Sequence, residues 1–173
     1  MALTVRPMQL SEVDLVIDYF HQSTPEHLEL LGVDPTRLPG PDQWRERAAR
    51  ELALPVEARS VIYLLWLWNE TPVGFSGCDR IRFGDHAFLH LHVIEPDRRT
   101  MGIGTAAVRM SASIAFDLLR LRRLFCEPNA FNVAPNRTLQ RAGFTYVKTH
   151  RTVPGRLNYH QAVTRWVMEE APT

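Results

Sequence analysis

Apolar residues recur along the chain first with a strand period and then with a helix period. Residues 3–6 predict a first strand, and residues 60–68 are almost wholly apolar, which is typical of a strand covered on both faces. Residues 73–81 and 87–94 follow after short turns and predict that three consecutive strands pair antiparallel. Further strands are predicted at 124–126, 145–152 and 163–169. The pattern indicates a mixed, mostly antiparallel sheet of about seven strands, of the α/β (α+β) class.

Helical spacing separates the first strand from the second and fills the second half of the chain. A capping-box pattern at Ser11 and Asp14 predicts the first helix, and Thr24-Pro25 opens a short second helix. Residues 42–54 predict a third helix with a thin stripe of Trp44, Ala48 and Leu52. A central helix begins near Thr105 with the stripe Val108, Ala112, Ala115 and Leu119, and a last helix spans 132–141.

Composition and charge narrow the class of protein. The chain has 173 residues, 45% of them hydrophobic and 23% charged, with a net charge of +1, which predicts a single soluble domain. It carries no basic block of the nucleic-acid type, no apolar run of membrane length and no amino-terminal signal core. We therefore expect no nucleic-acid partner, no membrane insertion and a cytoplasmic location. Cys78 and Cys126 are expected to be buried strand residues.

The junction of the 87–94 strand and the central helix predicts a site for a pyrophosphate. Gly102 and Gly104 precede the helical run, and Arg98 and Arg99 lie just before them. The first turn of a helix leaves backbone N–H groups unpaired at the positive end of the helix dipole. Glycines allow a phosphate to approach those N–H groups closely. A phosphate-bearing ligand is expected at this turn.

The same glycines also fit a second class of nucleotide site. Residues 102–107 match the G-x-G-x-x-A form of a dinucleotide-binding turn. In that fold, however, the strand leads directly into the first glycine, whereas residues 95–101 intervene in this chain and four of them are charged. A dinucleotide-binding protein is therefore the less favoured alternative.

A longer string around the glycines resembles a family motif. Arg99-x-x-Gly102-x-Gly104, preceded by Pro96, resembles motif A of the GNAT N-acetyltransferases, whose loop binds the pyrophosphate of acetyl-CoA. A second segment, with Asn132 followed by Ala142-Gly143-Phe144, is similar to the family's N…(A/L)GF segment at the expected distance. The resemblance implies a GNAT fold spanning residues 1–173 as one domain, with acetyl-CoA as co-substrate. It implies transfer of the acetyl group to a primary amine by direct attack.

The resemblance also implies which residues bind the cofactor. The pyrophosphate would be bound by Arg98, Arg99, Met101, Gly102, Ile103, Gly104 and Thr105. The backbone N–H groups of Val93 and Ile94 would bind the thioester carbonyl, because the strand splays there in this family. Asn132 would hydrogen-bond the pantetheine arm, cap its helix, or do both.

Glu127 is the predicted catalytic base. The segment Glu127-Pro128-x-x-x-Asn132 resembles the D/E-P-x-x-x-N segment of aminoglycoside and siderophore hydroxylysine N-acetyltransferases, in which the acidic residue faces the acceptor amine. The alternative is that Glu127 pairs with an arginine such as Arg122 or Arg137. This segment favours a small polyfunctional amine as acceptor, such as an aminoglycoside-like or diamino compound, and a protein N-terminus stays open as an alternative. Similar proteins suggest a possible homodimer.

The sequence departs from the family at one catalytic position. Many members carry a tyrosine seven residues after the motif's asparagine as general acid, and Leu139 stands there in this chain. Tyr146, Tyr159 or water could protonate the leaving thiolate instead, and a catalytically degenerate acetyl-CoA-binding module stays open as an alternative. His90 and His92 share one strand face, but without a third ligand we predict no metal site.

Overall fold

Five helices and a seven-stranded sheet make up the part of the chain that the computed structural model describes, residues 2–94 and 102–171. The strands are β1 (Leu3–Pro7), β2 (Ile62–Trp68), β3 (Thr71–Arg82), β4 (His86–Val93), β5 (Arg123–Cys126), β6 (Thr145–Thr152) and β7 (Gln161–Glu169). The helices are α1 (Asp14–His21), α2 (Pro25–Leu31), α3 (Pro41–Ala53), α4 (Ile103–Leu119) and α5 (Val133–Ala142). The predicted sheet and its strand number are confirmed.

The sheet has the order β1-β2-β3-β4-β5-β7-β6, and within the described residues only β4 and β5 run parallel. Their pairing covers three residues of each strand, His86–Phe88 against Arg123–Phe125. Beyond that point the Pro128 carbonyl accepts a backbone hydrogen bond from the N–H of Thr164 in β7 (3.1 Å). Because the chain after β5 follows β7 while β4 continues to Val93, the two strands part and open a gap in the sheet.

One face of the sheet, which we call the α4 face, is covered by α4 and α5. The predicted stripe of the central helix is confirmed, since all of its residues are 1% exposed or less: Val108, Ala112, Ala115 and Leu119. A buried polar network ties this helix to the sheet. The Trp66 indole N–H lies 3.0 Å from Ser111 Oγ and 3.2 Å from Ser76 Oγ, so the buried indole donor is satisfied.

The opposite face, which we call the α3 face, is covered by α1, α2 and α3. Trp44 and Ala48 pack into its core as predicted, but Leu52 is 36% exposed and leaves the predicted stripe. The predicted capping box at Ser11 and Asp14 is wrong. A turn of 3-10 helix forms first, at Leu10–Glu12, and the Gln9 N–H donates to Glu12 Oε2 (2.8 Å).

Smaller expectations about the core are also met. Trp66 is fully buried, and Cys78 and Cys126 are free, buried thiols whose pKa values are raised by burial. Thr24 caps α2 by accepting from the His27 N–H (3.2 Å). None of the described helices combines the length and the apolar character needed to cross a membrane.

Candidate active site

A cleft of about 1000 Å³ opens where β4 and β5 part. Its floor is formed by β3, β4 and the end of β5, one wall by α3, and the other by the loop of residues 153–160 between β6 and β7. The position of this loop is fixed by long-range bonds to the end of α2. The side chains of Asn158 and Gln161 both donate to the Gly32 carbonyl, at 2.9 and 2.8 Å. The cleft is large enough for a drug-sized ligand.

The amino terminus of α4 has the features of an anion site. Gly102 is its N-cap with φ of +72°, a left-handed conformation that favours glycine. Among the described residues, no side chain caps this end and no acidic residue lies in the first turn. A Cβ at Gly104 would meet nothing nearer than Thr138 Cγ2 at 3.8 Å, so the space above Gly104 is open to a ligand. Ile103 and Thr105 contribute to this first turn.

Three predicted cofactor residues, Arg98, Arg99 and Met101, lie outside the described residues. The structure changes the expectation that the backbone N–H groups of Val93 and Ile94 both bind the thioester carbonyl. The Ile94 N–H donates to the Val73 carbonyl of β3 (2.9 Å), so this amide already has a partner and does not fit a donor to the thioester. Successive N–H groups of a strand point to opposite edges, which directs the Val93 N–H toward the gap. The role of Val93 as a donor to the thioester stays a prediction.

Asn132 lines the cleft and is 8% exposed. It stands at the N-cap position of α5 but makes no side-chain cap bond, so the alternative in which its side chain caps the helix is wrong. Its backbone is fixed instead, because the N–H donates to the Asn129 carbonyl (3.1 Å) and the carbonyl accepts from Asn136 Nδ2 (2.8 Å). The predicted contact between its side-chain amide and the pantetheine arm stays a prediction.

Glu127 also lines the cleft, but its side chain is only 1% exposed. Arg80 Nη1 donates to Oε1 at 3.1 Å, Arg165 Nη2 lies 3.0 Å from Oε2, and His150 Nε2 lies 3.2 Å from the same oxygen. We call these four residues the Glu127 cluster. The alternative of an arginine pair is therefore realised, with Arg80 and Arg165 in place of the arginines nearer in sequence. The role of Glu127 as base stays a prediction.

Several cleft residues had no signal in the sequence. Arg80 sits at a bulge of β3 with φ of +47°, and its guanidinium lies 3.5 Å from the centre of the Phe88 ring. Next to it, Asp79 Oδ1 lies 2.9 Å from His90 Nε2. Burial alone would raise the pKa of Asp79, but the charges of His90 and Arg80 outweigh it and hold this pKa below its ordinary value. Only the fold brings these residues together.

The tyrosines that could replace the missing general acid lie away from the cleft. Leu139 is fully buried in the core of the α4 face. The Tyr146 hydroxyl lies 3.2 Å from Thr149 Oγ1 on an exposed strand, and the Tyr159 hydroxyl donates to the Glu29 carbonyl (3.1 Å). Neither tyrosine lines the cleft, so neither fits the general acid at this site. A different tyrosine, Tyr63 of β2, does line the cleft.

The histidines of β4 make different kinds of contact. His86 Nδ1 lies 2.9 Å from Asp85 Oδ2, and the His92 ring packs against Phe20 and Phe75 with centroids 5.1 and 4.9 Å apart. Within residues 2–94 and 102–171, no three His, Cys, Asp or Glu side chains are grouped so that they could hold a metal ion.

Comparison with known families assigns the class of protein. Residues 2–145 match the model of the acetyltransferase (GNAT) domain, which is well over half of the chain. The chain therefore belongs to the GNAT acetyltransferase family, a class of acetyl-CoA-dependent N-acetyltransferases. The dinucleotide alternative is thereby excluded, since its doubly wound parallel sheet is not the fold observed. No curated protein matches the chain.

Solved structures of low sequence identity share the fold. An aminoglycoside acetyltransferase AAC(6')-Ib in complex with coenzyme A is 15% identical, with a TM-score of 0.71 over 97% of this chain and 95% of that one. RimL, a ribosomal L7/L12 alpha-N-protein acetyltransferase bound to coenzyme A, is 14% identical, with a TM-score of 0.76 over 98% and 94%. A spermidine N-acetyltransferase from Vibrio cholerae, bound to CoA and spermine, is 12% identical, with a TM-score of 0.75 over 96% and 95%.

Proposed function

We propose that this protein, as a single domain, transfers the acetyl group of acetyl-CoA to a primary amine of a small molecule. The observation that carries the proposal is the cleft of about 1000 Å³ at the parting of β4 and β5, together with the anion site at the amino terminus of α4. A cleft of this size can hold the thioester end of acetyl-CoA and a small acceptor together. Several of the similar structures are acetyltransferases for small amines, which supports this choice.

The cofactor would be bound mainly by backbone groups. The pyrophosphate oxygens would accept hydrogen bonds from the backbone N–H groups in the first turn of α4, from Ile103 to Thr105. The pantetheine arm would pass through the gap in the sheet and receive a hydrogen bond from Asn132. The thioester oxygen would face the Val93 N–H, which can stabilise the developing oxyanion. Holding the amine and the thioester together in this way removes much of the entropic barrier.

The acceptor must lose a proton before or during attack. Glu127 and His90 are the candidates on the cleft lining. Both oxygens of Glu127 already contact cations, whereas His90 has one nitrogen 2.9 Å from a carboxylate oxygen of Asp79. The effect of Glu127→Gln on the rate of transfer separates these two candidates. The CoA thiolate would leave without an acid from the protein and take its proton from water, since a thiolate is a stable leaving group.

The test is release of free CoA from acetyl-CoA in the presence of a panel of primary amines. Each primary amine is paired with its N,N-dimethyl analogue, which cannot give a stable amide product. We expect CoA release with at least one primary amine and none above background with its dimethyl partner. If acetyl-CoA binds and no amine is acetylated, the protein is the degenerate binding module that Leu139 leaves open, and the proposed function is wrong.

A further inference from the structure

The acidic residues and the arginines of the cleft differ in how many of them are paired with other groups of the protein. Among the described residues, three acidic residues line it, Glu51, Asp79 and Glu127, against five arginines: Arg37, Arg47, Arg50, Arg80 and Arg156. A polycationic acceptor such as an aminoglycoside or a polyamine would need carboxylates that are free to receive it. The partners of each acidic residue therefore decide which charge the cleft can accept.

All three of these carboxylates are occupied by the protein itself. Glu51 accepts from the Ser60 backbone N–H (2.8 Å) and hydroxyl (2.5 Å), which joins the end of α3 to the start of β2. Asp79 contacts His90 and Arg80, and Glu127 lies inside its cluster. Burial acts to raise the pKa of Glu51, but the bonds from Ser60 outweigh it and keep this carboxylate ionised and bonded.

The arginines of the cleft mouth are less well neutralised. Arg37 lies 3.6 Å from Asp34, and Arg50 lies 4.0 Å from Glu46. Arg47 and Arg156 are exposed, and among residues 2–94 and 102–171 no acidic group lies within ion-pair distance of either. Neither Arg47 nor Arg156 is therefore in a direct ion pair with a described carboxylate, although the charge of Arg156 contributes to the lowered pKa of Glu51.

Arg47 and Arg156 approach the cleft from opposite walls. Arg47 is three residues after the buried Trp44 and four before Glu51, so it belongs to the helix face of α3 that borders the cleft. Arg156 belongs to the loop of residues 153–160. Burial raises the pKa of the Tyr63 hydroxyl, as do the charges of Asp79 and Glu51, while the hydrogen bond from Trp44 and the charge of Arg156 lower it.

The loop backbone next to Arg156 lies close to the floor of the cleft. A Cβ at the preceding Gly155 would lie 2.7 Å from Asn158 Oδ1 of the same loop and 3.4 Å from Asp79 Oδ2 of the floor, so a side chain here would require Asn158 to shift. Below it, the Tyr63 hydroxyl accepts from Trp44 Nε1 (3.3 Å) and keeps its own proton for donation. Two arginines and one hydroxyl donor thus line the same cleft.

These donors are separate from the cofactor's phosphate site. Trp44 and Ala48 of α3, together with Leu157 of the loop, pack in the core of the α3 face, whereas Ile103 and Ala107 of α4 pack in the core of the α4 face. The arginines and the amino terminus of α4 therefore lie on opposite sides of the sheet, and a phosphate of acetyl-CoA bound at α4 leaves the arginines available.

We propose that the acceptor is a small amine that also carries an anionic oxygen group, a carboxylate or a phosphate, which Arg47, Arg156 and the Tyr63 hydroxyl bind. This inference rests on the proposed function and reverses the expectation of an aminoglycoside-like or diamino acceptor. Guanidinium groups suit both anions because their paired N–H donors match two oxygens at once.

The experiment compares acceptors that differ only in the anionic group. CoA release is measured with phenylalanine against phenylalaninamide, 6-aminohexanoate against 6-aminohexanamide, and O-phosphoethanolamine against ethanolamine, with spermidine and kanamycin as polycations. We expect the anionic member of at least one pair to have a kcat/KM roughly tenfold higher than its neutral partner, as a charge-assisted hydrogen bond would give. The carboxylate and phosphate pairs distinguish the two anions.

The variant Arg47→Gln/Arg156→Gln tests whether these arginines supply the preference. We expect its ratio between anionic and neutral acceptors to fall toward one, with acetyl-CoA affinity unchanged. Arg151→Gln removes an exposed arginine that does not line the cleft and should keep the wild-type ratio. Equal rates within every pair, or preference for the polycations, would overturn the inference while leaving acetyl transfer intact. Acetyl-CoA binding with no transfer to any amine would instead overturn the proposed function.

Discussion

The α4 face of the sheet is regular and apolar, whereas the α3 face is assembled from short helices and carries most of the charged groups of the cleft. On the α4 face, one helix of 17 residues buries a continuous stripe, and its amino-terminal end is the proposed site for the cofactor's pyrophosphate. At the cleft, Glu127 contacts Arg80 and Arg165, which are 47 and 38 residues away in the chain. The first region can thus be specified by local sequence, and the second only by the complete fold.

The largest expected effect comes from breaking the Glu127 cluster. Glu127→Gln leaves Arg165 without a carboxylate and Arg80 with Asp79 alone. Loss of one partner of a buried ion pair costs about 3–5 kcal/mol of unfolding free energy, and we expect the lower end of this range because both guanidinium groups are partly exposed. Urea unfolding measures this change. Glu46→Gln, which breaks the exposed pair with Arg50 at 4.0 Å on α3, is the control and should cost about 0–1 kcal/mol.

The same variant separates the two roles of Glu127. If Glu127 is only an ion-pair partner, folded Glu127→Gln keeps acetyl transfer at low temperature although it unfolds at a lower urea concentration. If Glu127 is the base, transfer falls by roughly 10²- to 10⁴-fold. Wild-type stability together with lost transfer would show that the cluster does not stabilise the fold and that Glu127 serves catalysis alone.

A second prediction concerns the α4 face. Leu139→Tyr restores the residue that many family members carry, but Leu139 is fully buried in a packed core. Overpacking of this kind costs about 1–3 kcal/mol, so we expect lower stability and no gain in acetyl transfer. Leu139→Met, which conserves volume, should cost less than about 1.5 kcal/mol. A faster enzyme with tyrosine at this position would show that the leaving thiolate needs an acid.

A third prediction separates stability from cofactor binding at α4. Gly104→Ala fills open space and should raise the unfolding free energy by about 0.5–1 kcal/mol, because glycine is the poorer helix former. Its methyl group would stand where the pyrophosphate approaches, so acetyl-CoA affinity should fall several-fold in a calorimetric titration. The reverse change Ala106→Gly, two residues further along the helix, should lower stability and leave the affinity unchanged. Unaltered affinity in Gly104→Ala would place the pyrophosphate elsewhere.

The smallest expected effect is the pH dependence contributed by His150. Burial lowers the pKa of His150 below 6.5 more than the charge of Glu127 raises it. The unfolded chain therefore binds more protons in mildly acidic solution, and stability declines as pH falls through the unfolded pKa of about 6.5. His150→Gln should make this decline shallower in urea unfolding at a series of pH values, while the exposed His160→Gln should not. A steeper decline in His150→Gln would show that the sign is wrong.

What the sequence could predict follows the same division between the two regions. The strands, the stripe of α4 and the stop at Gly143, with φ of +101°, depend on period and local backbone preference, and all are observed. The two buried cysteines likewise follow from their place in apolar strands. The glycine turn before α4 can be interpreted as an anion site from local sequence alone.

The acceptor side depends on contacts that no local pattern encodes. Arg80 reaches Glu127 because β3 bulges at that residue, and Arg156 reaches the cleft because Gly155 permits a close approach of the loop. The predicted start of the first helix is wrong for a related reason, since Glu12 also pairs with Arg6 of β1 and favours the earlier cap. Residues distant in sequence therefore decide the site.

The turn at Gly102 and the gap between β4 and β5 together form the proposed site for acetyl-CoA, on which every other functional claim depends. Calorimetric titration of the purified protein with acetyl-CoA, and with CoA and NAD in parallel, tests this site most directly. We predict micromolar binding of acetyl-CoA and CoA and no binding of NAD, since the gap between β4 and β5 would receive the narrow pantetheine arm, which NAD lacks. Absence of acetyl-CoA binding, or binding of NAD in its place, would contradict this assignment.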